Sequence, residues 1–364
     1  MIPHGRFRGT WTRRGTLLAL AVMLLLLTAI GVAALPSGSS SSATAATGDT
    51  GTGDTGNGEL TRQLADDEVL IGAYVQNIQT VDPQTNSFGA DIYVWLRWSN
   101  EALEPWKTME FMNLYEAWQL TSWTATEEPV RQSDGTLYYL THYQGAFNSR
   151  LALADYPFGT QRLLIEIEDI KSESQSFRYV TNSSSIDISD EISIPGYAIG
   201  TPSIAASDYA YPTDFGSLDS TKTNVYSKVL ITMPVSYPVL TNVVKYLVPI
   251  LLVMIAAGLI FQIPPGLVEG RIGLAITALL TLVAMQWTAT DGLPINEYLT
   301  LLDVLYVLSL AFILGSLIRA IRTSWVARDT GEEAAIRLDE RSMIAFFALY
   351  AVTFATAVLG YLLI

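Results

Sequence analysis

The 364-residue chain combines 50% hydrophobic residues with a formal net charge of -14. It has no cysteine and only two histidines, which excludes disulfides and thiolate metal sites and leaves too few imidazoles for the usual zinc or histidine-based catalytic centres. Acidic residues outnumber basic ones between residues 36 and 242, which favours cations near that surface and disfavours nucleic acid as a partner. No nucleophile–base set stands out, so we expect neither an enzyme nor a bound cofactor.

The N-terminus, residues 1–45, resembles an export signal. Four arginines precede an apolar run at 17–35, and small residues follow at 43–45. The run is also long enough for an uncleaved anchor. The Ser/Thr/Gly-rich tract at 36–58 has too few apolar residues to form a core, which predicts a flexible linker.

Residues 59–242 alternate apolar and polar side chains with a period of two, which is typical of half-buried strands. The clearest run places every second residue on one face: Phe88, Ala90, Ile92, Val94, Leu96 and Trp98. Further strands are predicted at 69–78, 137–147, 161–170 and 228–233, and turn signals such as Asp134-Gly135 separate some of them. Short strands in series, without helical stretches between them, predict an antiparallel β-sandwich.

Residues 243–364 contain four apolar runs, each near the ~20 residues that a helix needs to cross a bilayer. The runs lie at 243–263, 272–290, 298–318 and 343–364. The loop at 291–297 has no Lys or Arg, whereas the segment at 319–342 is rich in arginine. The positive-inside rule therefore places the sandwich outside, in the extracellular or periplasmic space, and 319–342 in the cytoplasm as a short segment of a multi-pass cell-membrane protein.

The second apolar run carries a stripe of small and hydroxylic residues along one helical face. Its members are spaced three or four residues apart: Gly273, Thr277, Leu280, Ala284, Thr288 and Asp291. Acids at the two ends, Glu269 and Asp291, are typical of the rings that select cations in a pore, and Leu280 lies between them as a candidate hydrophobic constriction. Small residues also mark helix-packing faces in membranes, so the pattern alone leaves pore and packing as equal alternatives.

Motifs in consistent order and spacing run from about residue 69 to the end of the sequence. Tyr156-Pro157-Phe158-Gly159-Thr160-Gln161 resembles an aromatic-Pro-Phe-Asp-x-Gln loop, and Arg271 resembles the basic residue that opens a pore helix. Leu293-Pro294 and the stretch at 298–303 resemble the turn and the start of a third membrane helix. Together they resemble the pentameric ligand-gated ion channels, the Cys-loop receptor family, in the prokaryotic form that lacks the loop cysteines.

The resemblance implies a homopentamer in a lipid bilayer whose second membrane helices line a central pore for monovalent cations. Glu269 and the stripe would line this pore, with Glu269 as the selectivity residue and Leu280 as the gate. Glu269-Gly270 stands where anion-selective members usually have Pro-Ala, which favours cations. Residues for coupling the sandwich to the pore would be Tyr156, Pro157, Phe158, Gln161, Leu293 and Pro294.

Two departures from the family pattern affect that coupling. Gly159 stands where the family has an aspartate, and residues 233–242 lack the arginine that usually pairs with it. Losing both partners is consistent, because a single buried unpaired charge would cost more than the absence of the pair.

The resemblance also implies an agonist site in the sandwich, formed by aromatic side chains. Candidates are Tyr138, Tyr143, Tyr209, Tyr211 and Phe215. Aromatic faces bind cationic ligands, and candidate signals are a proton, calcium or a small amine. His142 is a candidate proton sensor, since its ordinary pKa lies near neutrality. The alternatives are an anion-selective or weakly selective channel, and a non-conducting sensory receptor, which the short cytoplasmic segment disfavours.

Overall fold

The computed structural model describes residues 63–216, 223–294 and 297–362, so the expected export signal and linker lie outside the described residues. The described chain divides into two compact units. The β-rich unit contains residues up to 152 and residues 160–236, and the helical unit contains residues 153–159 and those from 237 onwards. The predicted fold class, a β-sandwich followed by a four-helix domain, is confirmed.

The β-rich unit consists of two sheets, which are antiparallel apart from two short parallel pairs. The first sheet contains β1 (Glu68–Asp82), β2 (Ser87–Trp98), β4 (Thr121–Thr124), β5 (Val130–Arg131), β6 (Leu137–Asn148), β8 (Arg178–Val180) and β9 (Ile186–Ile188). The second contains β3 (Met109–Phe111), β7 (Thr160–Asp169), β10 (Ala198–Ile199), β11 (Ser203–Ala210) and β12 (Val225–Ser236). Single helical turns lie at Pro105–Thr108 and Ala117–Gln119.

The period-two pattern of the sequence determines which side chains form the core of this unit. All six alternating residues of β2, from Phe88 to Trp98, are buried. The central strands of the second sheet contribute in the same way: Leu163, Ile165 and Ile167 from β7, and Val229, Ile231, Met233 and Val235 from β12 are all fully buried. The predicted strands are therefore present, and the face that β2 was predicted to bury is buried.

The helical unit contains four helical segments, each long and apolar enough to cross a membrane. They are α1 (Val239–Gln262), α2 (Val268–Thr290), α3 (Leu301–Thr330) and α4 (Glu332–Leu362). The last two continue well beyond their apolar runs, so the segment at 319–342 forms helix ends that are separated only at Gly331. Hydropathy marked only the apolar part of each helix, because Arg, Glu and Ala continue a helix into polar surroundings as readily as Leu does.

Helix α4 packs through aromatic rings that lie against glycines of its neighbours. A Cβ on Gly258 of α1 would lie 2.2 Å from the ring of Phe347, and one on Gly315 of α3 would lie 2.8 Å from the ring of Phe346. Phe312 of α3 completes the cluster, with its ring centroid 5.3 Å from that of Phe347. Close approach of backbone and ring, which only glycine permits, therefore holds α4 against α1 and α3.

We expect Gly258→Ala to lower the thermal stability of the purified protein in detergent. Alanine favours a helix over glycine by up to ~1 kcal/mol, but the added methyl group overlaps Phe347, and such overpacking costs ~1–3 kcal/mol. Gly360→Ala in α4 is the matched control, because nothing lies within 4 Å of its added Cβ. Equal unfolding temperatures for the two variants would contradict the packing described.

Candidate functional site

Helix α2 has one narrow buried side and one broad exposed side. Its buried residues are Arg271, Ala275, Ala278 and Leu282. Every predicted pore-lining residue is exposed: Glu269, Gly273, Thr277, Leu280, Ala284, Thr288 and Asp291. At about 100° per residue the two sets lie on opposite sides of the helix. The stripe therefore lies along a face that none of the other described helices covers.

Hydroxyl groups on this face donate inward, to the helix backbone. Thr277 Oγ1 donates to the Gly273 carbonyl at 2.8 Å, and Thr288 Oγ1 donates to the Ala284 carbonyl at 3.0 Å. This bond to the preceding turn satisfies the hydroxyl proton without a partner outside the helix. The hydroxyl oxygen keeps a lone pair for an outside donor or cation, so the stripe offers acceptor oxygens beside the apolar Leu280.

The buried side of α2 is anchored by a charged pair. Arg271 and Asp339 of α4 are each 1% exposed, and their side chains meet at 2.5 Å. The same guanidinium donates to Thr323 Oγ1 at 2.9 Å, to the Ala320 carbonyl at 3.3 Å and, through Nε, to the Ile263 carbonyl at 2.9 Å. Arg271 thus binds the turn before α2 as well as α3 and α4. The sequence pointed to Arg271 but not to Asp339, which lies 68 residues away in the charged segment.

The anchored arginine determines the direction of Glu269. The two residues are separated by about 200° around the helix, so a guanidinium held inside the bundle directs the glutamate to the exposed side. Glu269 also lies in the first turn of α2, where a carboxylate interacts favourably with the positive end of the helix dipole.

The predicted coupling residues Tyr156, Pro157 and Phe158 lie in the segment 153–159, which belongs to the helical unit. The Tyr156 hydroxyl donates to the hydroxyl of Tyr246 in α1 at 2.8 Å, and its carbonyl accepts from the N–H of Leu302 in α3 at 3.1 Å. The Leu153 N–H donates to the hydroxyl of Tyr298 at 3.1 Å. The segment is therefore bonded to the start of α1 and to the start of α3.

The remaining coupling candidates Gln161 and Leu293 bond to residues close to them in the sequence. In the β-rich unit the Gln161 carboxamide holds the backbone of Ala152, accepting its N–H at 2.7 Å and donating to its carbonyl at 2.6 Å. Leu293 and Pro294 follow α2, and the Leu293 N–H donates back to the Thr290 carbonyl at 3.1 Å. The hydrogen bonds described above for the segment 153–159 go to Tyr246, Tyr298 and Leu302 rather than to Leu293-Pro294.

A neutral hydrogen bond joins the start of α1 to the segment 153–159, where the sequence lacks a charged pair. The side-chain amide of Asn242 donates to the Pro157 carbonyl at 2.5 Å, and Asn242 is buried. Gly159 has a φ of 88°, which favours glycine, and an added Cβ there would meet Asp155 at 3.1 Å. Burial raises the pKa of the Asp155 carboxyl. The sequence shows the missing charges but gives no signal for Asn242, because a single asparagine carries no motif.

The candidate ligand residues fall into separate places. Tyr209, Tyr211 and Phe215 form one cluster, with ring centroids 4.8 Å and 5.3 Å apart in succession. Tyr138 and Tyr143 are five positions apart in β6 and therefore lie on opposite faces of that strand. The ring of Tyr143 packs edge-on against Phe111 at 4.9 Å, and burial raises the pKa of its hydroxyl.

Tyr138 lines a separate groove on the first sheet, and burial raises the pKa of this tyrosine too. The groove has a volume of about 410 Å³ and is also lined by Trp95 and Arg97. His142 lies on the same face of β6, bonded to Asp91 and stacked on the Tyr93 ring at 4.2 Å. Within one chain the structure thus brings together three of the five aromatic candidates.

Neither a scan against models of known protein families nor a search of curated proteins finds a match to this chain. A β-sandwich followed by four apolar helices is compatible in layout with a channel subunit and with a membrane receptor.

We expect Asp339→Leu to destabilise the detergent-solubilised protein by ~3–5 kcal/mol, because it leaves the Arg271 guanidinium buried without a counter-charge. The double variant Arg271→Met/Asp339→Leu removes both charges and should recover most of that loss, since an apolar pair of similar volume tolerates burial. Thermal unfolding of the wild type and the single and double variants measures this. Additive losses in the double variant would show that the two side chains do not act as a pair.

Proposed function

We propose that the chain is a subunit of a homopentameric, cation-selective ion channel that opens in response to a signal acting on its β-rich domain. The observation that carries the proposal is the geometry of α2. All residues of the predicted pore stripe lie on its uncovered face, directly opposite a buried side anchored by Arg271. The buried side of such a helix packs against its own bundle. Its exposed side is available to line a water-filled pore that several subunits share.

The chemistry of the free face supports cations as the permeant ions. Copies of α2 around one axis would place rings of Glu269 and Asp291 at the two ends of the pore, where their summed negative potential concentrates cations. Between them Leu280, which is 66% exposed, would form an apolar ring that closes the pore by excluding water. Threonine oxygens on either side of Leu280 would accept contacts from partly dehydrated ions.

A route for the signal is supported by the segment 153–159. It joins β6 to β7 in the sequence, yet its hydrogen bonds go to Tyr246 in α1 and to the start of α3. A displacement of these strands would therefore act on two helices that pack beside α2. For the signal to open the pore through this segment, it must bind more tightly to the open conformation of the protein than to the closed one.

Cysteine substitution along α2 tests the proposal directly, because the wild-type chain has no cysteine of its own. Cysteines at 273, 277, 280, 284 and 288 should react with charged, membrane-impermeant thiol reagents, since they would face water. Val283→Cys is the matched control: Val283 is 48% exposed in one chain but lies to one side of the stripe, where lipid or a neighbouring subunit would protect it. Reaction at position 283 as fast as at 280, or none along the stripe, would contradict a pore.

Glu269 is expected to determine the sign of the permeant ion. In bilayers with asymmetric KCl, Glu269→Gln should move the reversal potential from near the potassium equilibrium value towards zero, because the ring of charge is lost. Glu269→Asp keeps the charge and Glu332→Gln removes an acid from the start of α4 instead; both should behave as wild type. An unchanged reversal potential in Glu269→Gln would exclude this residue as the filter. Absence of any current under all stimuli would favour the non-conducting receptor.

A further inference from the structure

The aromatic cluster of the β-rich unit already contains a cation, the side chain of Lys228. Its ammonium nitrogen lies 4.2 Å from the centre of the Tyr209 ring. It also lies 2.9 Å from a carboxylate oxygen of Glu166 and 3.0 Å from one of Glu168. An aromatic face and two carboxylates around one ammonium group are the elements from which binding sites for organic cations are built.

Regular strand pairing holds these groups in place. Lys228 of β12 stands directly opposite Glu168 of β7, and Leu230, two positions further along, stands opposite Glu166. Tyr209 of β11 pairs with Tyr226, which lies on the same face of β12 as Lys228. The groups therefore share one face of the second sheet, and the site is formed by three adjacent strands rather than by a loop.

Burial makes the contacts of this lysine strong. The Lys228 side chain is 17% exposed and that of Glu168 is 4% exposed. Burial by itself lowers the pKa of Lys228, but the hydrogen bonds to Glu166 and Glu168 outweigh it and raise the pKa above the ordinary lysine value. The group is therefore an ammonium ion at every physiological pH, and it neutralises one of the two carboxylates that surround it.

The chain that follows β11 is bonded to the same charges. The Tyr211 hydroxyl donates to both carboxylate oxygens of Glu168, at 2.9 and 3.0 Å. Burial and the neighbouring Glu168 raise the pKa of Tyr211 to about 12, so the hydroxyl keeps its proton. Phe215 packs on Tyr211 at 5.3 Å. The position of residues 211–215 thus depends on a carboxylate that Lys228 holds.

We propose that Lys228 is the specificity-determining residue of this cluster: its ammonium occupies the place that a free organic ammonium ion would take, so that the native site excludes small amines. Shortening the side chain converts the cluster into a binding site for a small primary amine. The inference rests on the proposed function in one respect: it excludes small amines that would act at this cluster as the signal that opens the channel. The binding itself does not rest on channel activity.

The test uses Lys228→Ala in the full-length purified protein, with n-propylammonium chloride as the probe. The probe restores the three carbons and the nitrogen that the substitution removes. We expect the unfolding temperature of Lys228→Ala to fall and to recover saturably with a dissociation constant on the order of 1–10 mM, a range suited to so small a ligand. Neutral n-propanol and sodium chloride at equal concentration should have no such effect, because neither supplies a primary ammonium group.

Lys107→Ala is the matched control. Lys107 also stacks on an aromatic ring, Trp106 at 4.7 Å, and pairs with Glu104 at 2.6 Å, but its side chain is 49% exposed. Propylammonium should not rescue this variant, since solvent already screens the site. Equal rescue of both variants would overturn the inference, because it would reflect a general salt or amine effect.

Direct binding measurements on the wild type and on Lys228→Ala supply a second test. In saturation-transfer NMR, n-propylammonium should receive saturation from Lys228→Ala and none from the wild-type protein. Equal transfer from the two proteins would overturn the proposed exclusion. If Lys228→Ala accumulates only when expressed with propylammonium, that dependence supports the inference. Amine binding by Lys228→Ala in a protein that conducts no current would leave the inference standing and remove the proposed function.

Discussion

The ion pair between Arg271 and Asp339 is the contact on which the organisation of the helical unit depends. Two charges that are 1% exposed carry a large desolvation penalty, and only a close partner with further hydrogen bonds offsets it. Arg271 has those bonds, to the backbone of the α1–α2 turn and to α3. One carboxylate oxygen of Asp339 has no hydrogen-bond partner among the described residues. The pair is therefore better suited to fixing one arrangement of helices than to adding stability.

That arrangement has a direct consequence for α2. A helix of this apolar composition has little to prevent rotation about its axis in a membrane, because lipid accepts Leu, Ile and Val on any side. A buried arginine removes this freedom at one end of the helix. The small residue Ala275 then packs next to Ile260 and Ala320, and Ala278 is buried on the same side. The hydroxylic and acidic residues consequently share the remaining face.

The Arg271–Asp339 pair and the cluster around Lys228 stabilise different parts of the molecule. Arg271 and Asp339 hold helices, whereas Lys228, Glu166 and Glu168 hold three strands and the residues that follow β11. In each cluster a long basic side chain pairs with a carboxylate of another helix or strand, 60 or more residues away in the sequence. The neutral bond from Asn242 to the Pro157 carbonyl acts in the same way between α1 and the segment 153–159. None of these links is a local motif.

Local pattern determined the elements of this protein. Alternation in residues such as Phe88–Trp98 and the apolar runs of the second half were sufficient to predict the five longest strands, the four helices and the fold class, because period and length are properties of neighbouring residues. The seven shorter strands of the described chain were not predicted. The same reasoning placed Glu269 and the stripe on one helical face. It did not assign that face to a bundle interior or exterior, since a stripe of small residues suits both.

The tertiary structure decided the partners. Asp339 for Arg271, Phe347 for Gly258 and Glu168 for Lys228 are pairings across tens of residues, and no spacing in the sequence marks them. The sequence by itself thus determined which segments are strands and helices and which faces they can bury. Only the tertiary structure determined which buried charges form pairs, because pairing depends on distances between residues that are far apart in the sequence.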